Sequence, residues 1–310
     1  MSAVPKASLY YYKQSIWASV ALLALEEKGY APDEIDLKEV DLFKGENFSP
    51  SYLRINNNGT YGAHTRAPAL TPATIAFSTA SNKVIELLHS EPADPNALLY
   101  VNAKDDASLR QLAQQLLPFL TSKGDALEKL IEENKTSQIH VSEKTAQFWE
   151  LKKLAVVSIL DVMQDADKDT AQLEGPAAKK REDYFRTAQV SWAALKEVLI
   201  QLHKEIIGPY VLGDQISVAD LHLAAWLARI AKLSSATGSE EGNDVVNKIE
   251  AHIGGSFSLP KDFSVAEARR RAGLPSTNVS PTERQSRFAA FWDAIRERPS
   301  WKKVYADGLH

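Results

Sequence analysis

Hydrophobic and polar positions change their period once along this chain. Leu9 to Tyr12 is a short β-prone run, and Ser15 then opens a helical pattern that reaches Lys28 and stops at Gly29. Ile35 to Val40 alternates in strand fashion, which points Ile35, Leu37 and, after a pleat irregularity, Val40 inward. Ser49-Pro50 predicts the start of a short helix to Ile55, by the serine-cap and proline-first rule. Asn56 to Gly59 is a turn. Ala69-Leu70 and Thr74 to Phe77 read as two short strands, and Ser81 to Leu88 as a helix. Glu91-Pro92-Ala93-Asp94-Pro95-Asn96 breaks this pattern and reads as a linker. Beyond it strand signals nearly vanish. Helical periodicity covers Ser108 to Glu133, Ser142 to Gln164, Ala177 to Ile206 and Val218 to Leu233. The polar stretch Ser234 to Asn278 predicts long loops with a short helix or two. Ser280-Pro281-Thr282-Glu283 is a capping box with proline at the first helical position, and predicts a last helix through Arg298.

The sharpest local signal lies between Gly208 and Trp226. Gly208-Pro209 and Gly213 mark a turn, and Ser217 and Asp220 stand three apart as a capping box. The helix that follows is almost wholly apolar to Ile230, so it belongs inside a helical core. Such a box carries structure and no chemistry. Its larger effect is to fix where a buried helix begins.

Composition narrows the function classes. The chain has 310 residues, enough for two domains, and 44% hydrophobic content, enough for a sizeable core. A net charge of −4 gives no reason to expect nucleic acid or an anionic membrane as partner. The basic run Arg269-Arg270-Arg271 reads as a solvated helix face. With no cysteine, disulfides, zinc-thiolate sites and a cysteine nucleophile are excluded, so any thiol chemistry must use a thiol brought by the ligand. The histidines show no metal-ligand spacing. Ile16 to Leu25 has the look of a signal-peptide core, but Glu26-Glu27-Lys28-Gly29 continues its helical pattern to a glycine stop. The expectation is a cytoplasmic protein.

Several stretches, in chain order, resemble the cytosolic glutathione S-transferase family, of the serine-type, fungal-like kind. Leu23-Ala24-Leu25-Glu26-Glu27-Lys28-Gly29 resembles the end of the family's first helix, and Phe48 to Asn56 the segment before its cis-proline loop. Gly213-Asp214 to Ala219-Asp220 resembles the capping box of its core helix, and Arg298-Pro299-Ser300-Trp301 to Val304 its C-terminal ending. The resemblance implies an N-terminal thioredoxin-like domain over residues 1–90 and an all-helical glutathione-transferase C-terminal domain over residues 104–310. It implies conjugation of glutathione to hydrophobic electrophiles, in detoxification or secondary metabolism, by a homodimer. The alternative is a catalytically weak, transferase-like binding module that carries apolar ligands or protein partners. A maleylacetoacetate-type isomerase using glutathione is a third reading.

The same resemblance assigns the site. Ser15 falls where the family places the hydroxyl that faces the glutathione sulfur, although a plain helix cap is an equal reading of the residue. Tyr10, Tyr11 and Tyr12 offer rival hydroxyls. Ala67 and Pro68 match the pair that binds the cysteinyl backbone, and Ser81 the helix start that holds the γ-glutamyl carboxylate. Asn47 stands where a polar residue meets the glycine carboxylate; an exposed loop asparagine is the rival reading. The chain departs from the pattern in places. Ala80 replaces the acid that pairs the glutathione amino group, and Tyr61 to Arg66 widens the link before the proline. The Ser234 to Asn278 segment is long, and with Trp17, Phe148 and Trp149 it offers material for an acceptor pocket.

Overall fold

A computed structural model describes residues 6–55, 70, 72, 74–276, 280 and 282–310. The chain begins as a β-α-β unit: β1 (Ala7–Tyr11), α1 (Ile16–Glu27) and β2 (Ile35–Glu39). The two strands pair in parallel, with Ala7 opposite Ile35 and Tyr11 opposite Glu39. Parallel pairing requires a crossover, which α1 supplies. Short α2 (Pro50–Leu53) and longer α3 (Ile75–Leu88) follow. A long helical section then runs through α4 (Pro95–Tyr100), α5 (Asp106–Lys135), α6 (Glu143–Gln164), α7 (Gly175–Glu205), α8 (Val218–Leu233) and α9 (Gly242–Ile253). It closes with α10 (Val265–Arg271), α11 (Arg287–Arg296) and α12 (Pro299–Val304). No described helix is long and apolar enough to cross a membrane.

The α/β-then-helical plan read from the sequence is therefore the plan of the molecule, with corrections in detail. Thr74 to Phe77 is not a strand: Thr74 caps α3, its Oγ1 accepting from the Phe77 amide at 3.3 Å, so α3 begins six residues before Ser81. Ala69 lies outside the described residues, while Leu70 lies in a loop whose carbonyl accepts from Val218 N. Leu37 is not buried: it stands opposite Leu9 in the ladder at 48% exposure, while Leu9 and Val40 are buried. The last long helix begins at Arg287, capped by Ser286, and not at Pro281. Arg284–Gln285 (β4) instead pairs antiparallel with Phe263–Ser264 (β3), an arrangement that ties the long insertion to the last helices. Within that insertion stand α9 and α10. The linker is anchored as well: Trp226 Nε1 donates to Ala93 O at 2.7 Å.

Burial is divided between two clusters. The larger surrounds α8, on which α1 and α3 pack through Leu23, Val84 and Leu88. The smaller lies between α5 and α6 and includes Phe48, Leu53 and the fully buried Trp149. Gly45 lets the loop after β2 reach α5: its φ is +67°, and a Cβ there would lie 2.6 Å from Ala126 Cβ.

Candidate functional site at the start of the first helix

Ser15 is the N-cap of α1, with extended backbone (φ −83°, ψ 127°), just past the end of β1. Its Oγ accepts from the Ala18 amide at 3.5 Å, the limit of a hydrogen bond. Among the described residues the hydroxyl proton is uncommitted. The first amides of α1 converge on this point, which favours negative charge there.

The helical section holds both ends of α1. At the C-terminal end, Arg298 grips Glu27 through two bonds of 2.7 and 2.5 Å, and Ser300 Oγ adds a third at 2.5 Å. Burial opposes ionisation of Glu27, yet these bonds hold its carboxyl below the usual range. The Arg298-Pro299-Ser300-Trp301 motif thus works as a clamp on the first helix. At the N-terminal end, Arg229 of α8 donates from Nη2 to Gln14 O at 2.9 Å. The C-terminal residues cover the same end: Lys13 pairs with Asp307 at 2.5 Å, and His310 Nε2 lies 2.8 Å from Ser19 Oγ. Burial, aided by Arg229, Lys232 and Lys13, pushes His310 down to about 4, so its ring is neutral at pH 7.

The tyrosines separate by position. Tyr10 makes an edge contact with Tyr52 at 6.0 Å and lies under the Lys38 ammonium. Tyr11 uses its carbonyl to accept from Val40 N. Tyr12 reaches Gln14 Oε1 at 3.4 Å. Burial, then Asp41 and Glu39, raise its pKa, so it stands beside Ser15 as a neutral donor.

Of the remaining sequence-assigned residues, the structure describes Ser81 and Asn47. Ala67 and Pro68, with Tyr61 to Arg66, lie outside the described residues. Ser81 sits in the interior of α3 at 1% exposure, its hydroxyl without a partner among the described residues. Its amide belongs to the helical ladder and is not free for an anion; the open amides of α3 belong to its first turn after Thr74. Asn47 is not an exposed loop residue: it lies at 8% exposure in the turn Glu46–Phe48, whose Phe48 carbonyl accepts from Trp149 Nε1 at 3.1 Å. Trp149 is core, Phe148 leans on Phe48, and Trp17 stacks on His89 with ring centroids 3.9 Å apart.

Sequence reasoning missed Arg229, Lys232 and His310. A signal existed for the first two, since they are the cations of a helix that is otherwise apolar in its second half. His310 carries no local pattern.

No family model and no curated protein matches the chain. Among solved structures it is similar to glutathione transferase F7 from Populus trichocarpa, with a TM-score of 0.46 and 15% identity over 98% of this chain and 99% of that one. It is similar to Gtt2 from Saccharomyces cerevisiae, with a TM-score of 0.46 and 14% identity over 96% and 99%. A further similar structure is the beta-etherase LigF from Sphingobium sp. strain SYK-6, with a TM-score of 0.46 and 15% identity over 97% and 98%.

Proposed function

We propose that the protein is a glutathione transferase that adds glutathione to hydrophobic electrophiles, and that residues 1–90 and 104–310 are its two domains. One observation carries the reading: Ser15 caps α1 at the end of the first parallel strand with its hydroxyl proton uncommitted among the described residues. A thiol like that of cysteine has a pKa near 8.5, and lowering it by two units requires about 2.7 kcal/mol of preferential thiolate binding. The Ser15 hydroxyl donates to the sulfur, and the first amides of α1 add their partial positive charge. The thiolate, its proton lost to solvent, then attacks the electrophilic carbon: the carbon–sulfur bond forms and a leaving group such as chloride departs with the electron pair of the bond that breaks. Asn47, Ala67 and Pro68 are the proposed contacts to the peptide, and the assembly is a homodimer. Ser81 is not proposed as a main-chain anion contact, for the reason given above.

The position of Ser81 favours a second reading. With its amide inside a helix and Ala80 beside it, one end of glutathione lacks both of its expected partners. A transferase-like binding module for apolar ligands fits that arrangement. Calorimetric titration with glutathione, followed by turnover of a chloronitroaryl electrophile, separates the two. Saturable binding with conjugate formation is the expected result. Binding of the apolar compound without glutathione supports the second reading instead.

A further inference from the structure

Arg229 is 7% exposed and lies on a helix with a buried, apolar face. Among the described residues no carboxylate pairs with it, its one hydrogen bond goes to the Gln14 carbonyl, and its Nε is buried without a partner. A guanidinium in this position is costly to bury without an opposite charge. Around it stand phenols and cations: Tyr12 after β1, Tyr100 at the end of α4 and Tyr305 after α12. Lys232 lies one turn further along α8, and His310 and Lys13 come from the two chain segments that meet over α1. Of the carboxylates nearby, Asp307 pairs with Lys13 at 2.5 Å and Asp41 with Lys44 at 3.1 Å, while Glu39 acts on Tyr12 and Lys13 from a distance, without an ion pair among the described residues. The open N-terminus of α1 adds positive potential at the same place.

We infer that Arg229 and the first turn of α1 together form an anion site, with Arg229 as its fixed cation. Within the transferase reading, on which this identification of the anion rests, the anion is the glutathione thiolate. Ser15 gives it a hydrogen bond. Arg229 acts as a positioning residue: it holds the Gln14–Ser15 turn through the Gln14 carbonyl and supplies the charge that a hydroxyl lacks. An opposite charge at short range lowers an acid's pKa by about one to three units.

The test measures the thiol pKa of bound glutathione from ultraviolet thiolate absorbance against pH, for the wild type, Arg229→Met and Arg229→Lys. Arg229→Met is expected to raise that pKa by about one unit, cutting the thiolate fraction at neutral pH roughly threefold, with Arg229→Lys recovering part of it. An unchanged thiol pKa in folded Arg229→Met overturns the assignment, since a merely structural arginine would alter stability and leave ionisation alone. A second measurement needs no variant. The Arg229 Nε–H resonance of the intact protein is followed by NMR during titration with thiocyanate, a soft monoanion. A saturable shift supports the site, and no shift overturns it. If thiocyanate moves the resonance while glutathione does not bind, the transferase reading falls and the anion site stands.

Discussion

Two of the serine-capped helices of this protein, α1 and α8, are finished differently. At α8 the cap is closed. Asp220, fully buried, accepts from Val211 N at 2.6 Å and from both the amide and the hydroxyl of Ser217 at 2.7 Å. At α1 the cap is open. Among the described residues the Ser15 side chain makes one bond, of 3.5 Å, Ala18 stands where the acid of a box would be, and a buried guanidinium, that of Arg229, grips the preceding Gln14. The first arrangement spends its negative charge on its own backbone. The second leaves positive potential uncompensated. The difference teaches that the same residue, at the same helix position, closes a fold in one place and leaves room for an anion in another.

The contrast breaks first at Asp220. Removing its carboxylate strands buried donors at Val211 and Ser217, and leaving such groups unpaired costs about 1–3 kcal/mol each. Asp220→Ala is therefore expected to destabilise the protein by about 3 kcal/mol or more, read from the urea midpoint. A loss below about 1 kcal/mol would show that the box is ornamental. Ser15→Ala should act on chemistry: the thiolate loses a donor worth about 1.5–3 kcal/mol, so conjugation at neutral pH falls roughly ten- to a hundredfold and partly recovers at high pH. Superimposable pH–rate profiles would reduce Ser15 to a cap and leave Tyr12 as the remaining hydroxyl. Ser217→Ala removes one bond of the closed cap and is expected to cost about 1–2 kcal/mol with no effect on ligand affinity.

The smallest effect is a slope with pH. His222, His252 and His310 are each pushed down to about 4, chiefly by burial. Their folded values lie below the unfolded 6.5, so the stability they support is present above that pH and is lost as pH falls toward 4. Asp220 runs the other way. Burial raises it to about 6, so its protonated form favours the fold at low pH and that contribution fades as pH rises through 6. Three histidines against two buried acids, Asp220 and Asp293, both raised by burial, predict a net loss of stability on acidification from about 6.5 to about 4. Urea midpoints across that range check it. A flat or rising profile toward acid would mean that the buried acids with raised values dominate.

The sequence by itself determined the change from a β-α-β unit to helices, the bounds of α8, and the serine at each of the two caps. These are local facts: a period of 3.6, a glycine stop or a serine three residues before an acid acts through neighbours in the chain. The same locality misread Thr74 to Phe77, where a β-prone run of four was the first turn of a helix capped by Thr74. It misplaced the last helix, because Ser280 and Ser286 both look like caps and only pairing with Phe263–Ser264 makes a strand of Arg284–Gln285. What tertiary structure alone decided is the environment of Ser15. Arg229 is 214 residues away from it and His310 295; Arg229 stands out as a cation in the apolar half of α8, but that does not say which segment it meets, and His310 has no pattern at all. Packing α1 on α8 brings the guanidinium to Gln14, and the clamp of Arg298 on Glu27 brings the chain's last residues over the same helix. Charge buried by such long-range contacts depends on which surfaces exclude water together, and no local pattern of residues encodes that.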